Sequence, residues 1–260
     1  MASTADLLAL YDSQLRTDAE TPSAVSVQRL GPLRLVAFAP GRGFFTCRHT
    51  TPEDGGVLAR LAPEALAYFT ADPDIADVEF KTRSHDHAPG LHETLLELGF
   101  TAGEPESIMI GPMAGLAGNG APGVALRRIE QAADIEAMCR MIDEAFGEPY
   151  EPRTPGELLA RLELRDGMEL WVAEADGRMV GAARLEPVAG TSFAGLWGGG
   201  VLPEYRGRGV YSGLTAVRAA SALAQGIEWA HSDCTEFSRP ILERQGLVKV
   251  SETVPYEWVR

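Results

Sequence analysis

The feature that most constrains this chain is a glycine-rich turn between an apolar strand and a helix. The apolar run from Phe193 to Leu202 is typical of a buried strand, and Pro203 ends it. The sequence Arg-Gly-Arg-Gly at 206–209 follows, and from Val210 the apolar spacing is helical. Glycine permits positive φ and a close ligand approach, and amides at a helix N-terminus bind phosphate groups. The stretch therefore predicts a strand, a tight turn and a helix that together suit a phosphate or pyrophosphate.

Two well-defined phosphate-binding turns do not match this stretch. The chain has no Gly-x-x-x-x-Gly-Lys-Ser/Thr sequence, which argues against a nucleotide P-loop. It also lacks a Gly-x-Gly-x-x-Gly turn with an acidic residue further on, which argues against a dinucleotide site. A Gly-x-Gly before a helix is also often only a tight connection, so the turn needs further support.

The stretch closely resembles the acetyl-CoA loop of the GNAT superfamily of N-acetyltransferases. That pattern is Arg/Gln-x-x-Gly-x-Gly/Ala, after a strand that ends near Val-x-Pro. Arg206 and Gly209 fill it, Val201-Leu202-Pro203 precedes it, and Tyr211 departs from it, because the family usually has Gly or Ala there. The resemblance implies acetyl-CoA as co-substrate, held by the segment that follows the strand. The implied coenzyme-binding residues are Val201, Leu202, Arg206, Gly207, Arg208, Gly209, Val210, Tyr211 and Ser212.

The resemblance further implies direct transfer of an acetyl group to a primary amine, on a small molecule or a peptide, in a ternary complex. Such transfer needs a base for the amine and a proton for the leaving thiolate. The family's usual acid, a helix tyrosine, is replaced here by Leu242. Tyr256 is our candidate acid, with Tyr211 and water as alternatives.

Asp233, at the end of a predicted strand beside the loop, is the candidate base, although a turn carboxylate is an equally good interpretation. Glu148 and Glu236 are its rivals. The candidate acceptor-binding residues are Glu148, Tyr150 and Trp197. For an aromatic residue on a central strand, burial in the core is the competing interpretation.

The predicted fold is α/β (α+β), with two tandem GNAT-like domains, each a mixed, mostly antiparallel sheet flanked by helices. Residues 113–123, rich in Gly and Ala, predict a linker between a degenerate N-terminal domain, 1–112, and an acetyltransferase domain, 124–260. The second part predicts the element order β-α-α-β-β-β-α-β-α-β-β of the GNAT fold. Placing Asp86 on Asp233 aligns Gly99-Phe100 with Gly246-Leu247, which suggests an internal repeat.

Composition excludes several classes of partner. The net charge is −14, so neither nucleic acid nor an anionic membrane is expected, and a cationic acceptor is slightly favoured. The three cysteines form no Cys-x-x-Cys pair, and no apolar run is long enough to span a bilayer, which predicts a cytoplasmic protein. A homodimer is expected only from the family resemblance.

A metal site is not expected from the sequence. His85-Asp86-His87 with His92 matches no zinc spacing, and the aligned repeat residues are not a ligand set. Two alternatives to an enzyme stay open. The chain can be a non-catalytic acyl-CoA-binding sensor or regulatory module, which the missing tyrosine favours, or an interaction protein that has kept the fold without a ligand.

Overall fold

The structure, a computed structural model, describes residues 2–118 and 121–260. They divide into two compact units. The first unit comprises Met1–Ile108, Asp233–Arg239 and Lys249–Arg260, and the second comprises Met109–Ser232 and Pro240–Val248.

The regular elements follow one another along the chain. Those of the N-terminal part are α1 (Thr4–Leu15), β1 (Ser26–Leu30), β2 (Leu33–Phe38), β3 (Arg42–Cys47), α2 (Val57–Thr70), β4 (Asp77–Lys81), α3 (Leu91–Glu97), β5 (Thr101–Ala102), β6 (Glu106–Pro112) and α4 (Met113–Leu116). The remaining ones are β7 (Ala125–Ile129), α5 (Ala132–Phe146), α6 (Thr154–Glu163), β8 (Glu169–Ala175), β9 (Arg178–Pro187), β10 (Phe193–Val201), α7 (Val210–Ala224), β11 (Trp229–Cys234), α8 (Arg239–Arg244), β12 (Val248–Thr253) and β13 (Pro255–Val259). From β7 onward the order is the predicted one.

The first unit is built on a six-stranded sheet of order β1-β2-β3-β4-β13-β5. Its pairs are antiparallel except for β3 with β4, which is parallel. Its core contains a buried aromatic group in which Phe45 stacks on Phe80 with ring centroids 4.3 Å apart. The sheet is therefore mixed and mostly antiparallel, as expected.

The second sheet has seven strands in the order β12-β6-β11-β10-β9-β8-β7. β7, β8, β9 and β10 form antiparallel neighbours, and β10 pairs with β11 in parallel. β8 and β9 form a hairpin, in whose turn Asp176 and Gly177 have φ of 50° and 75°. These positive values are what an Asp-Gly two-residue hairpin turn requires.

Two strands lie outside the sheet that the sequence predicts for them. β13, the last strand of the chain, pairs with β4 in the first sheet. β6, which precedes the predicted linker, lies between β12 and β11 in the second sheet. The domain boundary at 113–123 stays a prediction, and strand membership does not follow it.

The predicted linker contains more structure than its composition indicates. Met113 and Leu116 are buried in α4, and Ala121 is buried as well, so part of this segment packs in the core. A Cβ on Gly213 would lie 2.8 Å from the Ala121 nitrogen, so the lack of a side chain at Gly213 lets the Ala121 backbone lie close to this glycine. Asn119 and Gly120 of the linker lie outside the described residues. Over residues 2–118 and 121–260, none of the helices is both long and apolar enough to cross a membrane.

Candidate functional site

The glycine-rich turn has the predicted strand–turn–helix geometry. After β10, a short 3-10 helix spans Pro203–Tyr205, and α7 begins at Val210. Gly207 and Gly209 have φ of 72° and 80°, and a Cβ on either would meet nothing within 4 Å. The positive φ, rather than crowding, therefore explains why glycine is found at both positions.

The amides of the turn differ in their partners. The Arg206 amide donates to the Pro203 carbonyl at 3.2 Å and is therefore engaged. For the amides from Gly207 to Val210, no backbone acceptor is found within residues 2–118 and 121–260. The first amides of a helix have no acceptor within the helix, and the dipole of the 15-residue α7 adds positive potential there. This end of α7 therefore suits an anion.

The Arg206 side chain positions the turn. Its Nε donates to the Val201 carbonyl at 3.0 Å and its Nη2 to the Ala145 carbonyl at 2.6 Å. Ala145 lies in the last turn of α5, where a cation interacts favourably with the helix dipole. The arginine of the pattern thus links the end of β10 to α5, while its coenzyme contact stays a prediction.

Strand β10 is irregular beside the turn. Trp197 pairs with Arg184 and Gly200 with Ala182, so β10 has one extra residue, a bulge. Gly198, inside the bulge, has φ of 56°. On its other edge β10 has three residues in register with β11, from Phe193 to Gly195. Beyond them, Ser232 Oγ donates to the Leu196 carbonyl at 2.9 Å. In the described residues, the register of β10 with β11 therefore covers Phe193 to Gly195, and a side-chain bond follows it.

Trp197 lies in an aromatic group on this part of the sheet. Its ring meets the His231 ring edge to face, with centroids 5.1 Å apart, and His231 also faces Phe193 at 6.0 Å. A Cβ on Gly195 would lie 2.0 Å from Trp197 Nε1, so the indole lies over that glycine. Sequence reasoning missed His231. The sequence signal that could have found His231 is its position two residues before Asp233 in a predicted strand, because residues i and i+2 of a strand lie on the same face.

Glu148 and Tyr150, the other predicted acceptor residues, follow α5. Glu148 is exposed, and its amide donates to the Asp143 carbonyl at 2.9 Å. The Arg140 guanidinium lies 3.9 Å from the centroid of the Tyr150 ring, a cation–π contact that holds this ring against α5. Acceptor binding by both residues stays a prediction.

Tyr211, the departure from the family pattern, packs on the bulged strand. A Cβ on Gly199 would lie 2.8 Å from Tyr211 Cε2, so the glycine makes room for the ring. Further along α7, Arg218 is fully buried, and its guanidinium donates to the carbonyls of Leu214 and Arg184. Burial lowers the pKa of Arg218 to about 10, because the charged form loses its water.

The predicted base and acid belong to the first compact unit. Asp233 forms an ion pair with Lys81. Burial lowers the pKa of Lys81, but the attractions of Asp233, Tyr11 and Glu20 together outweigh it, and the net pKa is raised. Tyr256 is buried, its hydroxyl is 2.8 Å from His92 Nδ1, and burial raises its pKa. Leu242, at the usual position of the acid, is 1% exposed and belongs to the core. Both catalytic assignments stay predictions.

The cysteines are poor nucleophiles. Each is free and buried. Burial raises the pKa of Cys234 and of Cys139 to about 11, and that of Cys47 to about 12. The reactive thiolate is therefore a small fraction at neutral pH.

The comparisons with known proteins agree with this geometry. Residues 135–246 match the model of the Acetyltransferase (GNAT) family. A GCN5-related N-acetyltransferase from Kribbella flavida has a TM-score of 0.66 and 18% identity, and the match covers 99% of this chain and 96% of that one. One from Sphaerobacter thermophilus has a TM-score of 0.62 and 15% identity, covering 99% and 94%.

A tandem GNAT protein from the clavulanic acid biosynthesis pathway has a TM-score of 0.60 and 12% identity, covering 92% of this chain and 84% of that one. The comparison with curated proteins gives no match. The fold is thus that of two tandem GNAT-like domains. The segment 135–246 belongs to the GNAT acetyltransferase family, as the resemblance predicted.

Proposed function

We propose that this protein is an N-acetyltransferase that transfers the acetyl group of acetyl-CoA directly to a primary amine. The observation that carries the proposal is the set of amides from Gly207 to Val210 at the start of α7, next to the bulged end of β10. A diphosphate fits the first feature because it accepts hydrogen bonds from converging amides. An extended arm with amide groups fits the second, because the bulge between Trp197 and Gly200 makes β10 irregular beside the turn.

The chemistry needs little from the chain beyond position and proton transfer. The amine nitrogen attacks the thioester carbonyl carbon, the C–S bond breaks, and the thiolate leaves. The amine loses one proton and the thiolate gains one, so no external reductant or oxidant is required. Asp233 and Tyr256 are the base and acid we assign to these transfers, and Trp197, Glu148 and Tyr150 are assigned to the acceptor amine.

The test is the binding of acetyl-CoA to a variant of the turn. Gly209→Asp puts a carboxylate beside the diphosphate, and we expect Kd to rise at least about tenfold, or 1.4 kcal/mol. Gly177→Asp is the matched control, because Gly177 has a φ of 75° and open space like Gly209 but lies in the β8–β9 hairpin. Calorimetric titration of both variants measures the difference. Equal affinities in the two variants would falsify the assignment of this turn.

A non-catalytic acyl-CoA sensor is the second candidate function. It is favoured by the burial of Leu242 at the usual acid position and by the ion pair that engages Asp233. A panel of amines with acetyl-CoA, monitored by free thiol, distinguishes the two functions. Thiol release that depends on an amine supports the enzyme. Coenzyme binding without thiol release supports the sensor, and a melting temperature unchanged by CoA supports an interaction protein without ligand.

The remaining assignments are proposals of the same kind. The acceptor is a small-molecule or peptide amine, and the acidic composition, with a net charge of −14, favours a cationic one. A cytoplasmic location is supported by three free cysteines. No metal is assigned to the acyl transfer. A homodimer is proposed from the family alone.

A further inference from the structure

A group of three side chains in the first unit has the composition of a metal site. Asp12 lies on α1, His49 follows β3, and His85 follows β4. One donor atom from each lies within 4.8 Å of the other two. We call these residues the two-histidine cluster. It shares only His85 with the set of histidines that the sequence analysis considered and rejected.

The spacing within the cluster suits a small ion. His85 Nε2 and Asp12 Oδ1 are 3.1 Å apart. Two ligands of a tetrahedral zinc ion, each at about 2.0 Å, are about 3.3 Å apart. The rings of His49 and His85 are stacked, with centroids 5.4 Å apart and an interplanar angle of 22°. Asp12 and His85 therefore already have the spacing of two ligands of one ion, and the His49 ring lies beside that of His85.

Each histidine has a polar partner on its Nδ1. His49 Nδ1 is 3.1 Å from Asp86 Oδ1, and His85 Nδ1 is 2.6 Å from Ser251 Oγ. An ionised carboxylate only accepts, so the His49 proton lies on Nδ1 and its Nε2 carries the lone pair. Metal-binding histidines typically have such a partner, which fixes the tautomer and the ring orientation.

Ser251 suits either tautomer of His85. With the ring proton on Nε2, the Ser251 hydroxyl donates to Nδ1; with an ion on Nε2, the ring proton is on Nδ1 and the same hydroxyl accepts it, since a hydroxyl does either. The contact with Ser251 is therefore kept when Nε2 binds an ion.

Arg16 is the cation nearest to the cluster, and it has a partner of its own. Its Nη1 lies 3.2 Å from both Asp12 Oδ1 and His85 Nε2. The same guanidinium forms two bonds to Asp86, at 2.9 and 2.7 Å, and donates to the Cys47 carbonyl. Asp86 neutralises Arg16, so Asp12 leaves a net negative charge that favours a cation. Arg16 keeps its bonds to Asp86 and Cys47 when an ion takes Asp12 and His85.

Exposure provides a path for the ion. The side chains of Asp12 and His85 are 20% and 14% exposed, and that of His49 is 43% exposed. His49 can therefore complete the site from the solvent side, and a water molecule can fill the remaining position.

We propose that Asp12, His49 and His85 bind one divalent transition-metal ion, Zn²⁺ by preference, in the N-terminal unit. Two imidazoles and a carboxylate suit zinc better than magnesium or calcium, which prefer oxygen ligands alone. The ion would join α1 to the segments after β3 and β4. This inference is independent of the acyl transfer proposed above.

The test uses the full chain stripped of metal and titrated with Zn²⁺ against a chromophoric chelator. We expect one ion per chain. His49→Gln and His85→Gln should weaken binding by more than about 100-fold, and Ser251→Ala by about tenfold, the lower end of the range for outer partners. His87→Gln is the matched control, because His87 lies two residues from His85 but outside the cluster. Binding that is absent in the unaltered chain, or lost equally in the control, overturns the proposal.

A second measurement needs no variant and guards against misfolding. In the unaltered chain labelled with ¹⁵N-histidine, Zn²⁺ should shift the Nε2 signals of two of the five histidines. A shift at other histidines, or at none, contradicts the assignment. The melting temperature should rise with Zn²⁺ concentration, as for any ligand that binds only the folded state.

Discussion

The contact between Gly195 and Trp197 gives a sharp prediction about β10. A Cβ at Gly195 would lie 2.0, 2.6 and 2.9 Å from three atoms of the Trp197 ring, so alanine cannot be accommodated unless the indole moves. Overpacking of this kind costs about 1–3 kcal/mol. Alanine in place of glycine in a strand recovers about 0.5–1 kcal/mol of backbone entropy. Gly195→Ala should therefore destabilise the protein by about 1–2 kcal/mol.

A double-mutant cycle isolates the cause. With Trp197→Ala the obstructing ring is absent, so adding Gly195→Ala should be neutral or stabilise by about 0.5–1 kcal/mol. The coupling between the two sites should thus be about 2 kcal/mol, well above the 0.3–0.5 kcal/mol scatter of independent sites. Urea unfolding of the four proteins by circular dichroism measures it, with m-values required to agree. Additive effects would refute the contact.

The same variant tests the acceptor assignment. Displacement of Trp197 also breaks its edge-to-face contact with His231. If Trp197 shapes the amine site, Gly195→Ala should raise KM for the amine and leave the Kd of acetyl-CoA unchanged. A loss of coenzyme affinity without a change in KM for the amine would place Trp197 in the coenzyme site instead.

Three further predictions concern the turn, a helix and the thiols. Arg206→Met removes two hydrogen bonds to the carbonyls of Val201 and Ala145. Acetyl-CoA affinity should therefore fall about tenfold, because the turn is held less firmly. An unchanged Kd in calorimetry would contradict the positioning role. A Cβ on Gly156 in α6 would meet nothing within 4 Å, so Gly156→Ala should raise the unfolding free energy by about 0.5–1 kcal/mol. A lower urea midpoint for this variant would contradict the prediction. Because burial raises their pKa, the cysteines of the native protein should react slowly with a disulfide reagent at pH 8, and all three should react after unfolding. A fast-reacting thiol in the native state would contradict this.

Local sequence predicted the turn and its neighbours well. Gly207, Gly209 and the Asp176-Gly177 hairpin have positive φ, and α5 ends at Gly147 with φ of 73°. These conformations follow from the few residues involved, because glycine carries no Cβ penalty there. The helical spacing that starts at Val210 predicted the start of α7, which spans Val210–Ala224. The family match at 135–246 covers the same segment.

The side-chain partners could not be predicted in the same way. The sequence places Arg206 in the coenzyme loop, but it does not indicate that the guanidinium bonds to carbonyls of β10 and α5. Asp233 was a candidate base, yet it pairs with Lys81, 152 residues away in sequence. Such partners depend on which elements become neighbours, and nothing in the spacing of a single segment reports that.

By itself, the sequence determined the order of the elements, the backbone conformation of the turn and the family of the second half. All of these depend on residues close together in the chain. The tertiary structure alone decided that β13 pairs with β4, that β6 lies in the second sheet, and that Asp12, His49 and His85 converge. The physical reason is that strand pairing and ion clusters are long-range contacts, selected by burial and charge across the whole fold rather than by local propensity.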